Sequence, residues 1–361
     1  RTTQLHSSSG GAFSNVAGPK ADCIAAVENF LILGACDDSS ISGMTTSFGS
    51  QLNRWWCSGL NDATSAWIPS IETQNTTGLL VATPGSITGM VKLASQCVAY
   101  KNNSIYVGTY IGPPEVWQWQ CVSDAIGCAS QDCVVPIGNV HYFIGQNDIY
   151  MFDGSRPQSI GLGVREWFFG SLDKPYNVNI QGRFDPLNRI IYWHYPAAGG
   201  NHTLTKVLAY NIVTQKFGAF ALTVGEVIAV QGSGEVLSDT ADDTARELTM
   251  LYLGQDAKTY SLTGAQASLT FTTGWFGDEA EESLCDRVKC RWSDVAPTSG
   301  TLTHSSCAFI GQTAVTGTTY TMTNGRFDVL ESARYHRFAA SLGGPHEIEA
   351  LAVSLKPDGM D

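Results

Sequence analysis

Charge is scarce in this chain. Charged residues make up only 15% of its 361 positions, and the balance is acidic, with a formal net charge of −12. No basic run occurs. A protein that clamps phosphates needs clustered Lys and Arg, so a nucleic-acid binder of that kind is excluded. No apolar stretch approaches the roughly 20 residues that a helix needs to cross a bilayer. No signal peptide is visible, and the chain begins at Arg1 rather than Met, which leaves an upstream start open.

Familiar catalytic and ligand-binding signatures are missing too. There is no G-x-x-x-x-G-K-S/T phosphate loop, no G-x-S-x-G and no H-E-x-x-H. Gly161-Leu162-Gly163 is a fragment of a dinucleotide fingerprint without strand–helix context, and reads as a turn. The seven histidines are scattered, with no pair at ligand spacing, and His336 is expected as an exposed or half-buried strand residue. Ten cysteines are present, at 23, 36, 57, 97, 121, 128, 133, 285, 290 and 307, but no C-x-x-C. Several neighbour strand residues, as Cys57 follows Trp55-Trp56, so the expectation is reduced thiols packed as small hydrophobes. No catalytic, cofactor-binding or metal-ligating residue is assigned. The chain is expected not to be an enzyme and to carry no cofactor.

What is present is β-sheet material. Glycine numbers 37, and Thr, Ser and aromatics are plentiful, the composition of short strands joined by tight turns. At this length roughly three quarters of the unfolded surface can be buried without disulfide or metal. Tyr142-Phe143-Ile144, the turn Gly145 to Asp148, and Ile149-Tyr150-Met151-Phe152 form a hairpin. Asp153-Gly154 then starts the next reversal, where glycine tolerates positive φ. Comparable aromatic strands centre on Trp55, Tyr106, Tyr150, Tyr192 and Leu251, with gaps of 51, 44, 42 and 59. Four-stranded propeller blades repeat at about 40 to 50 residues. A second strand follows Tyr106 at Val116–Gln120, Tyr192 at Val207–Tyr210, and Leu251 at Thr259–Leu262. A single blade cannot bury both faces of its sheet, whereas neighbours stacked about an axis do.

These features predict an all-β protein, a β-propeller-like main body with a C-terminal antiparallel β module. Residues 1–22, polar and without periodicity, read as an extended N-terminal arm. The propeller is placed at 23–263 and the module at 264–361. In the module, Val288–Trp292, Gly300–His304 and Thr318–Met322 alternate with one wet face, and Asn324-Gly325 signals a hairpin turn. The module reads as a sandwich packed on the propeller or as a last blade. Asp278-Glu279-Ala280-Glu281-Glu282, the densest charge cluster, reads as a solvated loop. Neither Trp55-Trp56 nor Trp167-Phe168-Phe169 can point all its rings into one core from a single strand, so partner contact or burial between blades accounts for the rest.

Several segments resemble one family. Trp55-Trp56-Cys57-Ser58-Gly59-Leu60-Asn61-Asp62 with Trp67, the stretch Tyr142 to Leu172 containing FIGQNDIYMFDG, PQSIG and REWFFGSLD, and the C-terminal Gly325–Leu330, Ser332–Phe338 and Lys356–Gly359 are similar to the tail hub or nozzle (DNA-stabilisation) proteins of podovirus-type bacteriophages. The resemblance spans about residues 22 to 359 and rests on turn and strand signatures; it brings no catalytic residue with it. It implies a structural virion protein, assembled in the bacterial host cytoplasm and located in the virion tail. Its partners would be itself in a ring, usually a hexamer, together with the tail adaptor and other tail proteins. Double-stranded DNA would pass transiently and non-specifically through the channel below the portal. An acidic lumen suits that role, because each neutralised phosphate adds affinity that would stall ejection. Two other classes stay open: a receptor- or glycan-binding tail tip protein, and a propeller glycosidase. For the last, the repeated S-x-D-x-G-x-T-W turns are lacking, and Ser58 to Trp67 has the letters once in the wrong spacing.

Overall fold

The computed structural model describes residues 5–7, 14–44, 46–64, 67–200, 202–229, 250–254, 258–261, 269–292, 297–343 and 348–357. Two compact units divide the chain, Arg1–Leu262 and Thr263–Asp361. The first is a β-propeller-like body of successive antiparallel meanders. Blade 1 comprises Lys20–Val27, Phe30–Asp37, Ser50–Cys57 and Thr77–Leu79. Blade 2 comprises Ile87–Leu93, Gln96–Lys101, Ile105–Gly112 and Val116–Ser123. Blade 3 runs through Val134–Ile137, Val140–Ile144, Ile149–Phe152 and Gln158–Ser159. Blade 4 holds Gln181–Asp185, Ile190–Tyr195, Leu204–Asn211 and Lys216–Val224, and blade 5 shows Glu226–Ala229, Met250–Leu253 and Thr259–Ser261. The first strand of each blade packs against the first strand of the next, which sets these strands on the inside.

Local sequence explains the meanders. In blade 3 the apolar strand ending at Ile144 pairs with the one starting at Ile149, and Gly145 N–H donates to Asp148 O at 2.9 Å to close the turn. Gly154 sits at φ +100°, a conformation that side chains with a Cβ rarely adopt, so the chain reverses there as expected. At Gly34 a Cβ would lie 2.8 Å from Ile87 Cγ2, so the missing side chain lets blade 1 approach the inner strand of blade 2.

The equal-footing repeat read from the aromatic anchors needs correction. Trp55, Tyr106 and Tyr150 lie on third strands of their blades, whereas Tyr192 and Leu251 lie on second strands. Only the gap of 42, from Tyr150 to Tyr192, compares different strands; inner strands begin at Ile87, Val134, Gln181 and Glu226, at near-constant spacing. Blade 1 is longer because the segment between Cys57 and Thr77 loops out, and Trp67 within it is a buried loop residue. The arm placed at 1–22 ends sooner: His6–Ser7 pairs with Ser14–Asn15, Val16 is buried, and the first blade strand starts at Lys20. Arg165–Ser171, containing Trp167-Phe168-Phe169, is a short helix, α1, rather than a strand.

The core lies between blades. Trp193, Phe143, Phe152, Tyr100 and Ile191 are fully buried members of one cluster contributed by blades 2, 3 and 4. Trp193 also donates its indole N–H to Cys133 O at 3.0 Å, tying blade 4 to the entry of blade 3. Truncating such a ring to Ala costs about 3–5 kcal/mol. Trp55 and Trp56 separate as strand alternation requires: Trp55 joins the cluster shared with blade 2, and Trp56 the cluster with Leu33 and Trp67. All ten cysteines are free thiols, nine of them buried, and burial pushes the Cys57 thiol up to about 12.

The second unit is a pair of sheets sharing one core. One sheet contains Leu269–Thr272, Phe276–Gly277, Ser299–Cys307, Val315–Thr321 and Tyr335–Gly343; the other contains Ser283–Trp292, Arg326–Ala333 and Ile348–Pro357. Val288, Cys290, Phe327 and Val329 from the smaller sheet meet Leu302, Phe338 and Leu342 from the larger. Asn324 and Gly325 both take positive φ, as the turn signal requires. The strands they join pair with different partners, however, so the turn carries the chain from one sheet to the other and no extended hairpin forms.

Candidate functional site

Buried polar groups are the first place to seek chemistry, because burial perturbs their titration. In the propeller-like unit Asp148, Asp38, Lys101 and His141 are consumed by the scaffold. Asp148 accepts from Ile149 N at 2.8 Å, Ser159 Oγ at 2.6 Å and Arg165 at 3.3 Å, locking the blade 3 turn to its last strand and to α1. Asp38 accepts from Ser47 Oγ, Phe48 N and Gly49 N; burial raises its pKa, and these hydrogen bonds outweigh it and bring it below the usual value. Fully buried Lys101 donates to the carbonyls of Leu80 and Thr83, and burial lowers its pKa. His141 lies between Tyr100 Oη at 2.9 Å and Lys92 O at 2.8 Å. Burial pushes both His141 and His194 down to about 4, so they are neutral near pH 7.

One further clasp belongs to the scaffold. Gln131, in the 3-10 turn before blade 3, accepts from Ile24 N at 3.1 Å and donates to Ile24 O at 2.8 Å. The same oxygen accepts from Met90 N at 3.4 Å, so one amide side chain bridges blades 1 and 2 at the threshold of blade 3.

In the second unit the histidine expectation is overturned. His336 is wholly buried and lies 2.9 Å (Nδ1) from Nε2 of buried His304. His336 Nε2 faces Ser283 O at 3.0 Å and Ala333 O at 3.1 Å, and since carbonyls only accept, that nitrogen carries the proton. The neutral pair is therefore ordered, with His304 Nε2–H donating to His336 Nδ1. Both rings stand on paired strands of the larger sheet, and the bond from His336 Nε2 to Ser283 O reaches the smaller one. Burial lowers both pKa values. A third ligand is missing: among the described residues no group of three His, Cys, Asp or Glu could hold a metal ion. The spacing of 304 and 336 gave no hint of the pair, because it arises from strand pairing across 32 residues. Asp278 to Glu282 is an exposed loop, as read from the sequence.

A cavity of about 250 Å³ opens at one end of blade 3. Its wall is built from the turn Gly145-Gln146-Asn147, Ala129 ahead of blade 3, and Phe169 to Ile180 between blades 3 and 4. In a meander these second-to-third turns and blade-to-blade connections share one end. Ile144, Leu172 and Ile180 are buried and form an apolar floor, while Gln146, Asn147, Lys174 and Asn177 supply a polar rim.

Large apolar side chains also remain in solvent. Ile68, Ile71 and Val81 project from the segment around the last strand of blade 1, Leu162 from the approach to α1, and Trp167 from α1 itself. Leu187 and Val213 lie on neighbouring turns of blade 4, joined by the hydrogen bond Ile212 N to Arg189 O at 3.1 Å. The outermost strand of that blade, Lys216–Val224, is exposed along most of its length and carries no charge after Lys216.

No protein-family model matches this chain, and no curated protein matches it. Among solved structures it is similar to the extracellular domain of a hybrid two-component system from B. thetaiotaomicron, at 9% identity and a TM-score of 0.32 over 87% of this chain, which spans 46% of that one. A glycoside hydrolase is matched at 10% identity and TM-score 0.26, covering 94% of this chain and 98% of the other. An exo-β-1,3-galactanase from Phanerochaete chrysosporium is matched at 10% identity and TM-score 0.24, covering 90% and 78%. Similarity at this level assigns no activity to the chain.

Proposed function

We propose that this chain is a non-enzymatic structural protein of a short-tailed phage virion, a ring-forming tail hub or nozzle that extends and closes the DNA ejection channel below the portal and adaptor. The observation that carries the reading is the exposed, uncharged outer strand of blade 4, Lys216–Val224. A strand at a sheet edge offers unpaired N–H and C=O groups, and monomeric proteins protect such edges with charges, bulges or cover. Here Phe217 to Val224 has none of the charges, and Phe220, Leu187 and Val213 add exposed apolar area on the same blade. Assembly into rings gives such a surface its use, since obligate interfaces often bury more than about 2,000 Å² and are apolar at the centre.

Two further features support the reading. The segments that resemble tail hub proteins are scaffold here: FIGQNDIYMFDG is the central hairpin of blade 3, with Asp148 as its keystone. The net charge of −12, repeated around a ring, repels a polyanion and lets it slide. Copies of the chain, the adaptor and neighbouring tail proteins are the partners on this reading.

Quantitative mass spectrometry of purified virions tests it, together with electron microscopy of the purified protein. The expected result is about six copies per particle, a figure taken from the family resemblance, and closed rings. Absence from particles, or a strict monomer at high concentration, would end the reading.

A further inference from the structure

We propose that the cavity at the end of blade 3 binds one carboxylated monosaccharide, of the hexuronate or sialate type, with its carboxylate on Lys174. The inference goes beyond the assembly role and does not depend on it, because it rests on a concave site away from the outer strand of blade 4.

The dimensions set the size of the ligand. Sites for drug-sized molecules begin at about 300 Å³; this one, at about 250 Å³, takes a single ring. Its floor and rim set the chemistry. Ile144 and Ile180 at the base, with Phe169 beside them, match the C–H face of a pyranose. Gln146, Asn147 and Asn177 are amides, each offering both donors and an acceptor, the combination that sugar hydroxyls require. The Gln146 amide is already oriented, since its Nε2 donates to Asn102 O at 3.2 Å and leaves its oxygen to accept.

Charge sets the remaining choice. Among the described residues, Lys174 is the one charged residue lining the cavity. Of the acids near it, Asp148 in the turn is occupied by Ser159 and Arg165, and Asp173, next to Lys174 in the chain and half-buried, lies outside the lining. A single ammonium balances a monoanionic carboxylate. A phosphate dianion would call for a second cation or a bidentate Arg, and neither lines the wall. A neutral sugar would leave the Lys174 contact unused.

Calorimetric titration, or saturation-transfer NMR, with glucuronate, N-acetylneuraminate, glucose and acetate tests the proposal on the full chain. At least one acidic sugar is expected to bind with Kd of about 1 mM. Glucose, lacking the carboxylate, and acetate, lacking the ring, are expected at least about tenfold weaker. Lys174→Gln should weaken the acidic sugar by about tenfold or more, since one charge-assisted hydrogen bond is lost. Lys174 is exposed, so the variant is expected to keep the parent circular dichroism and melting temperature. Failure of both acids to bind, glucose or acetate binding as well as the acids, or full binding by Lys174→Gln would each overturn the assignment. Loss of rings with binding intact would sink only the assembly reading.

Discussion

Lowering the pH from 7 to 5 should destabilise the propeller-like unit by a calculable amount. His141 and His194 are held neutral by burial, with pKa values down at about 4, against about 6.5 in an unfolded chain. Their folded pKa is depressed, so below pH 6.5 the unfolded state binds more protons and stability falls with pH. The loss begins near pH 6.5 and levels off near pH 4. At pH 5 it comes to about 2 kcal/mol for each ring, or about 4 kcal/mol for the two. That is a large share of the roughly 5–15 kcal/mol that holds a domain together. Carboxylates with ordinary pKa values near 4 contribute little between pH 7 and 5, which leaves the window to histidine. Urea unfolding at pH 7.5, 6 and 5, followed by tryptophan fluorescence, measures the slope. His141→Gln, which removes one titrating ring, should reduce the pH-dependent part by about half while lowering stability at every pH. A midpoint unchanged between pH 7.5 and 5, or a slope unaffected by that substitution, would refute the argument that these rings are buried and neutral.

Three further perturbations separate scaffold from surface. Gln131→Leu removes the amide bridging Ile24 and Met90 and should cost about 2 kcal/mol, two to three part-exposed hydrogen bonds; an unchanged denaturation midpoint would mean that apolar packing alone joins blades 1 and 2. Gly154→Val forces a branched side chain into φ +100° with its Cβ 3.2 Å from Leu93 Cδ2, and should lower stability by roughly 1–3 kcal/mol; equal thermal melts would contradict the turn assignment. Phe220→Lys places a charge in the outer strand of blade 4 and should abolish ring formation with little change in the monomer's melting temperature, read by light scattering; rings that persist would remove that edge from the interface.

The blades were legible because their signals are local. Turn glycines, paired aromatic strands and a recurring length together prescribe meanders, and even Trp55-Trp56 announced two opposite faces through strand alternation alone. The helix over Trp167-Phe168-Phe169 was not legible: seven residues give too little periodicity to outweigh β-prone aromatics. The His304–His336 pair and the Gln131 clasp were hidden for another reason. Both depend on strands brought together across 32 and 107 residues, and neither residue type at its own position carries any motif. The sheet-changing turn at Asn324-Gly325 misled in the same way, since its local chemistry dictates the reversal and says nothing of which sheet the next strand joins.

The candidate cavity occupies a middle ground. Its turn, Gly145-Gln146-Asn147-Asp148, lies inside the segment that carries the family resemblance, and Asp148 is the side chain that locks this turn to the rest of its blade. Gln146 and Asn147 are exposed at the tip of a turn whose shape Gly145 and Asp148 already fix. A scaffold role therefore accounts for FIG, for D-I-Y-M-F-D-G and for the Gln146 amide nitrogen, which reaches Asn102 O in blade 2, but leaves the Gln146 oxygen and the Asn147 side chain unexplained. Asp148→Ala should accordingly disturb both blade and cavity, because it frees Arg165 and the Ser159 hydroxyl along with the turn. Lys174→Gln should disturb the cavity alone. If the two substitutions proved equally destabilising, the rim would be part of the scaffold after all, and the motif would need no ligand to explain it.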